Sequence, residues 1–143
     1  MNLSASLLTF NGAAYIKKQL DSMLSQTKKI DEIVICDDGS TDDTIQIIKA
    51  YQAQYPNIIH LYQNEKKLGC TKNMEQCLGL TSGDLVFLAD QDDIWLPNKV
   101  ERLCTFFETH PNIDAVFSNA ELLNQCINKS KELIHSHYME SFL

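Results

Sequence analysis

Short apolar segments of strand length recur along the chain, separated by segments whose apolar positions have helical spacing. The strand-sized segments are rich in Val, Ile, Leu and Phe and are bounded by turn residues, a pattern typical of buried strands. We predict five strands, at Leu3–Leu8, Glu32–Cys36, Ile58–Gln63, Leu85–Ala89 and Ala115–Ser118.

Between these strands, apolar residues recur at spacings of three and four, which places them on one face of a helix. Four helices are predicted in this way, around Leu20, Ile48, Cys77 and Cys104. Alternating strands and helices predict an α/β fold, with a mainly parallel sheet, helices on both faces and right-handed crossovers. In such a sheet, ligands bind beyond the carboxyl ends of the strands.

Composition and charge narrow the class of ligand. With 143 residues the chain has the size of one domain, and its formal net charge of −7 argues against nucleic acid as the main partner. An acidic protein can still hold a diphosphate through a divalent cation. The five cysteines contain no CxxC pair, which predicts neither a disulfide framework nor a zinc site. No segment has the ~18 apolar residues of a membrane span, and we expect a cytoplasmic protein.

Three acidic residues lie close together at the end of the fourth predicted strand, in Asp90-Gln91-Asp92-Asp93. Alternation along an extended backbone places Asp90 and Asp92 on the same side, facing one ligand. Neighbouring carboxylates repel each other unless a cation lies between them, and hard oxygen ligands favour Mg²⁺ or Mn²⁺. The alternative is that Asp92 or Asp93 only begins a turn, but three acids so close together favour a metal site.

A second acidic cluster, Asp37 with Asp38, ends the second predicted strand. Asp38 is suited to accept hydrogen bonds from a base or ribose, and Gly39 permits close approach of a ligand. The alternative is that Ser40 and Asp42 only cap the following helix. Capping explains Ser40 better than it explains the pair of aspartates.

Two further segments are weaker candidates. Thr9-Phe10-Asn11 follows the first strand and offers an aromatic face and polar groups to a base, although the same residues would also serve as core and helix cap. Lys72 and Asn73 lie near the predicted start of the third helix, where free N–H groups and a cation could face phosphate. A surface loop that begins a helix, with Thr71 as its cap, has the same pattern.

Taken together, five motifs resemble those of the family 2 glycosyltransferases, in order and in spacing, over most of residues 1–119. The motifs are Leu8-Thr9-Phe10-Asn11-Gly12, Ser25-Gln26-Thr27, Asp37-Asp38-Gly39-Ser40-Thr41-Asp42, Asn64 with Gly69, and Asp90-Gln91-Asp92-Asp93-Ile94-Trp95. The resemblance implies a Rossmann-like GT-A fold that binds a nucleotide sugar over residues 1–119. It implies that residues 120–143 are the start of an acceptor-side region or an incomplete tail.

The resemblance also implies residue roles. Thr9 and Phe10 would contact the base, Asp38 the base or ribose, Asp90 the ribose or donor sugar, and Asp92 the metal on the diphosphate. Phe10 departs from the tyrosine that is frequent in the family, which removes a hydroxyl but keeps an aromatic face. No motif after Asn119 matches the family's acidic catalytic base, so the resemblance leaves the catalytic residue unassigned.

The activity implied is a metal-dependent, inverting transfer of a sugar from a nucleoside-diphosphate donor to a sugar or lipid-linked acceptor. The Asp-Gln-Asp-Asp-Ile-Trp form is most similar to bacterial rhamnosyltransferases that build surface polysaccharides, which leaves peripheral association with the inner face of the membrane open. Two alternatives remain. One is a nucleotide-sugar-binding fragment without catalysis, and the other is a phosphoacceptor receiver domain, whose acid pair should follow the first strand.

Overall fold

The computed structural model describes residues 1–120, in which strands and helices alternate along the chain. The strands are β1 (Leu3–Thr9), β2 (Glu32–Asp37), β3 (Ile59–Gln63) and β4 (Leu85–Asp90), and the helices are α1 (Ile16–Leu24), α2 (Thr44–Gln54), α3 (Cys70–Gly79) and α4 (Lys99–Thr109). All four predicted helices and the first four predicted strands are therefore confirmed. None of these helices is long and apolar enough to cross a membrane.

The four strands form one parallel sheet in the order β3-β2-β1-β4. The chain builds the sheet outward from β1 through β2 to β3, and then returns to place β4 on the other side of β1. All seven residues of β1 are buried, because this strand has neighbours at both edges. The strand order thus reverses between β1 and β4, the position where crevices open in sheets of this kind.

Helices cover both faces of the sheet, as predicted. The larger core packs Leu7 and Ile35 of the sheet against Leu20 of α1, Ile48 of α2 and Val100 of α4. A smaller core on the opposite face holds Leu8, Val34, Cys36 and Cys77, with Met74 of α3 against it. Alternate residues of β2 contribute to different cores, which is why this strand is apolar at each of its four central positions, Ile33–Cys36. In β1 the buried serines Ser4 and Ser6 alternate with residues of the larger core, and Leu8 belongs to the smaller one.

The predicted fifth strand is wrong. Residues 115–118 are irregular in the structure, and Phe117 is 89% exposed. An apolar sequence does not form a strand unless a neighbour pairs with its backbone groups, and within residues 1–120 no strand pairs with this segment. The chain divides into two compact units, Met1–Phe106 and Phe107–Leu143, and this segment belongs to the second. The predicted division after residue 119 stays a prediction.

Three of the residues suggested as helix caps, Asn11, Ser40 and Thr71, do not cap a helix. The N-cap positions are Tyr15 for α1, Asp43 for α2 and Gly69 for α3, and none makes a side-chain capping bond. Thr71 lies inside α3. Asn11 and Ser40, predicted as caps, instead form hydrogen bonds between loops at the carboxyl edge of the sheet. Asp42 does bond locally, because its Oδ1 accepts the N–H of Thr44, the first residue of α2, at 3.0 Å.

Candidate functional site

A cavity of about 260 Å³ opens at the carboxyl ends of β1, β2 and β4. Thr9 and Phe10 line it from the end of β1, and Asp38 lines it from the end of β2. The β4 side contributes Asp90, Gln91 and Asp92, and the approach to α3 contributes Lys67, Gly69, Cys70 and Asn73. The cavity lies where the strand order reverses, so a single ligand there could contact all three strand ends.

Six of the residues selected from the sequence line this cavity: Thr9, Phe10, Asp38, Asn73, Asp90 and Asp92. Asp38, Asp90 and Asp92, which lie at the ends of two different strands, therefore meet at one cavity. The contacts of these residues with a ligand stay predictions. Asn11, Asp37 and Lys72 were selected with them but do not line the cavity.

Asp37 is fully buried and holds the loop after β2 rather than facing the cavity. Its Oδ1 accepts the backbone N–H groups of Gly39 at 3.1 Å and Ser40 at 2.8 Å, and its Oδ2 accepts the hydroxyl of Thr9 at 2.8 Å and that of Ser40. These four bonds, two to each oxygen, fill the acceptor positions of the carboxylate. The geometry therefore does not support the predicted contact between Asp37 and a nucleotide.

Asn11 joins the loops that follow β1 and β2. Its backbone N–H donates to the Ser40 hydroxyl at 2.8 Å, and its side-chain oxygen accepts the N–H of Thr41 at 2.8 Å. Asn11 has a φ of 47°, in the left-handed region that asparagine tolerates better than most residues. Asn11 thus joins the two loops without lining the cavity itself. Ser40 accepts the bond from the Asn11 N–H and does not serve as a helix cap.

Asp38 lies at the rim of the cavity and binds the chain that leads into α3. Its Oδ1 accepts the N–H of Leu68 at 2.7 Å and the Asn64 amide at 3.0 Å, and its Oδ2 accepts the N–H of Gly69 at 2.9 Å. Burial alone would raise the pKa of Asp38, but these hydrogen bonds and the charge of Lys67 outweigh it, so the pKa lies below its usual value. Asp38 is therefore an anion that shapes the cavity wall.

Asn73, on the first turn of α3, belongs to the same hydrogen-bond network. It is 2% exposed, its Nδ2 donates to the carbonyl of Cys36 at 3.0 Å, and its Oδ1 accepts the Asn64 amide at 2.8 Å. The Asn64 oxygen in turn accepts Gln76 Nε2 at 2.6 Å. Asn73 therefore fastens α3 to β2 beside the cavity.

The cation on the cavity wall is Lys67 and not the predicted Lys72. Both lysines are exposed, but Lys67 lines the cavity, with its Nζ 3.6 Å from the centroid of the Phe10 ring, and Lys72, on α3, does not line it. The sequence places several lysines near this helix start, and no local pattern distinguishes the one whose loop folds back over Phe10. The N–H groups of Leu68 and Gly69 donate to Asp38, and these bonds hold the preceding residue, Lys67, over Phe10.

The carboxylates at the end of β4 form the negative side of the cavity. Partial desolvation raises the pKa of Asp90, and the charges of Asp93 and Asp92 raise it further. The N–H of Asp93 bonds to the Asp90 carbonyl at 3.4 Å, so Asp93 takes part in the turn. This side of the cavity has a surplus of negative charge that a cation would relieve.

Within residues 1–120, no group of three or more His, Cys, Asp or Glu side chains is arranged to hold a metal ion by itself. Mg²⁺ and Mn²⁺ with phosphate substrates use one or two carboxylates and take their remaining ligands from the substrate and water. Asp90 and Asp92, with the repulsion that raises the pKa of Asp90, fit such a partial site.

Comparison with known proteins adds an independent finding. The sequence model described as "Glycosyl transferase family 2" matches residues 4–133. Over 100 residues the chain is 35% identical to the dTDP-rhamnosyl transferase RfbG of Shigella flexneri, an alignment that covers 67% of this chain and 35% of that protein.

Solved structures agree with this match. TarS 1-349 of S. aureus in complex with UDP has a TM-score of 0.70 at 28% identity, over 78% of this chain and 33% of that one. The mannosyltransferase PcManGT of Pyrobaculum calidifontis, in complex with GDP-Man and Mn²⁺, has a TM-score of 0.61 at 25% identity, over 66% of this chain and 28% of that one. These likenesses confirm the predicted GT-A fold. The chain spans 35% or less of the length of each of these proteins.

Proposed function

Because the chain belongs to glycosyl transferase family 2, we propose that it forms the donor-binding part of an enzyme that transfers a sugar from a nucleoside-diphosphate donor to an acceptor hydroxyl. The observation that carries this proposal is the meeting of Asp38, Asp90 and Asp92 with Phe10 around one cavity. An aromatic face, hydrogen-bond acceptors and paired carboxylates are the groups that a base, a ribose and a metal-bound diphosphate require.

The nucleoside is proposed to bind on the β1 and β2 side of the cavity. Phe10 is 39% exposed, and because Lys67 lies over one face of its ring, the base is proposed to stack on the other face. Asp38 stays ionised and can accept a hydrogen bond from the base or ribose. Thr9 supports this side, although its hydroxyl already donates to Asp37. The UDP and UDP-GlcNAc complexes of TarS and the GDP-Man complex of PcManGT support a nucleotide-sugar ligand for this chain.

The diphosphate is proposed to bind on the β4 side, with Asp92 and Asp90 holding Mg²⁺ or Mn²⁺. When bound, the cation would neutralise negative charge on the departing diphosphate. The Mn²⁺ in the PcManGT complex supports this cofactor. Lys67 also lines the cavity and brings a second positive charge to it.

The reaction that the family resemblance implies is a direct displacement. An acceptor hydroxyl oxygen forms a bond to the anomeric carbon, the bond from that carbon to the diphosphate oxygen breaks, and the hydroxyl proton passes to a base. Configuration at the anomeric carbon inverts in a single displacement of this kind. The residues assigned above serve the leaving group, and the base is assigned to none of residues 1–120.

The likeness to a dTDP-rhamnosyl transferase supports a deoxyhexose or hexose donor. The proposed acceptor, a sugar or a lipid-linked acceptor in surface polysaccharide synthesis, rests on the family resemblance alone. The phosphoacceptor alternative receives no support from the site. Its acid pair would follow β1, where this chain has Thr9-Phe10-Asn11, and the acids follow β2 and β4 instead.

The test is calorimetric titration with UDP, GDP and dTDP, with and without Mn²⁺ or Mg²⁺. We expect binding to require the cation and to weaken at least about tenfold in Asp92→Ala, which corresponds to roughly 1.4 kcal/mol. Asp43→Ala is the matched control, because Asp43 is exposed at the start of α2 and lies outside the cavity lining. Equal affinity with and without the cation would contradict the proposal. Binding without sugar transfer to any acceptor would favour the noncatalytic alternative.

A further inference from the structure

The side-chain amide of Gln91 lies against the backbone of Phe10. The Phe10 N–H donates to Gln91 Oε1 at 2.9 Å, and Gln91 Nε2 donates to the Phe10 carbonyl at 3.0 Å. One side chain thus satisfies both backbone groups of residue 10, as a neighbouring strand would. The backbone pairing of β1 with β4 ends at Leu8 and Asp90, so Gln91 extends the link between these strands by means of its side chain.

Gly12 provides the space that the Gln91 amide occupies. A Cβ atom at position 12 would lie 2.1 Å from Gln91 Oε1 and 2.5 Å from Gln91 Cδ, closer than non-bonded atoms approach. The backbone at Gly12 is itself held, because its N–H donates to the Thr44 hydroxyl at 2.8 Å and its carbonyl accepts the N–H of Ile16 at 2.9 Å. Gly12 does not have a positive φ, so the need for glycine at this position arises from space.

Gln91 also lies between Asp90 and Asp92 in the chain, and all three residues line the cavity with Phe10. The proposed function places the base against Phe10 and the diphosphate against the two aspartates. The ribose of a nucleoside diphosphate limits the distance between its base and its phosphates to a narrow range. A site that binds both ends must therefore hold its two sides at a matching separation, and preorganisation of this kind lowers the cost of binding.

We propose that Gln91 is a positioning residue for nucleoside recognition, which holds Phe10 at a fixed place relative to Asp90 and Asp92 through its two hydrogen bonds to the Phe10 backbone. This inference rests on the proposed function, because it assigns the base to the Phe10 side of the cavity. It adds that nucleoside binding at Phe10, which follows β1, depends on a residue that follows β4.

Gln91→Met tests this role, since methionine keeps the length of the side chain and removes both hydrogen bonds. With Mn²⁺ present, we expect the Kd for the tightest binder among UDP, GDP and dTDP to rise about tenfold. The Kd for pyrophosphate, which has no base, should stay within about twofold of the wild-type value. A general loss of structure would lower the affinity for both ligands. The diagnostic measurement is therefore the ratio of the Kd for the nucleotide to the Kd for pyrophosphate.

Gly12→Ala tests the same contact from the other side. The new methyl group should displace the Gln91 amide and reproduce the selective loss of nucleotide affinity. In a Gln91→Ala background the displaced atoms are absent, so Gly12→Ala should cost little more, and the two substitutions should be clearly non-additive. Gly79→Ala is the control, because a Cβ atom there meets nothing within 4 Å.

The outcomes separate this inference from the function on which it rests. If the wild-type chain binds none of the three nucleotides with Mn²⁺ or Mg²⁺, the proposed function fails and the role of Gln91 fails with it. If the wild type binds a nucleotide and Gln91→Met binds it as tightly, only the positioning role is overturned. The same holds if Gln91→Met loses affinity for the nucleotide and for pyrophosphate to the same extent. Additive effects of the Gly12 and Gln91 substitutions would also overturn it.

Discussion

The carboxylate of Asp38, at the end of β2, accepts the backbone N–H of Leu68 at 2.7 Å. The same carboxylate accepts the N–H of Gly69. Gly69 has a φ of 80° and comes directly before the first turn of α3. Asp38 therefore fixes the path of the segment that carries Lys67 over Phe10. A residue expected from the sequence to contact a ligand is also what builds one wall of the cavity.

Replacing Asp38 by asparagine should destabilise the fold. An amide has one acceptor oxygen in place of two, and its NH₂ group would face one of the backbone N–H donors. We expect Asp38→Asn to lower the free energy of unfolding by about 1–3 kcal/mol, as measured by denaturant titration. Asp43→Asn removes the same charge at an exposed position with no side-chain capping bond, and should change stability far less. Equal losses in the two variants would contradict this role for Asp38.

Acid titration of stability should show the same interaction. The pKa of Asp38 in the folded chain lies below its unfolded value of 3.8, so the folded state favours the anion. The stabilisation is fully present above pH 3.8 and is lost as pH falls through the lower pKa of the folded state. Denaturant titrations of the wild type and Asp38→Asn between pH 7 and pH 2 should therefore converge at the acid end, where the advantage of the wild type disappears. A stability difference that stays constant with pH would contradict the assignment.

Lys67 and Lys72 should differ in their effect on ligand binding. Lys67 lines the cavity, so Lys67→Met removes a positive charge from the cavity that is proposed to receive the diphosphate, whereas Lys72 lies outside the lining. We expect Lys67→Met to weaken nucleoside diphosphate binding about fivefold at low salt, with a smaller difference at high salt because ions screen exposed charges. Lys72→Met should bind nearly as the wild type does, measured by the same calorimetry. If Lys72→Met lost more affinity for the nucleoside diphosphate than Lys67→Met, Lys72 would be the lysine that serves the ligand, as the sequence suggested.

Much of the fold was accessible from the sequence because buried parallel strands and amphipathic helices leave strong local patterns. The apolar runs at β1 and β2 and the helical spacing around Leu20 and Ile48 predicted elements that the structure contains. Ala115–Ser118 has the same apolar character and is not a strand in the structure. Strand formation depends on a partner as well as on sequence, and the pattern of one segment does not say whether a partner is present.

The candidate site divides in the same way. By itself, the sequence determined that Asp38, Asp90 and Asp92 lie at strand ends, and parallel pairing places such ends at one edge. Only the tertiary structure decided that Asp37 is buried in its loop, that Lys67 and not Lys72 lies on the cavity, and that Gln91 holds the backbone of Phe10. These outcomes depend on hydrogen bonds between residues far apart in the chain, and local spacing contains no information about which distant donor an acceptor will meet.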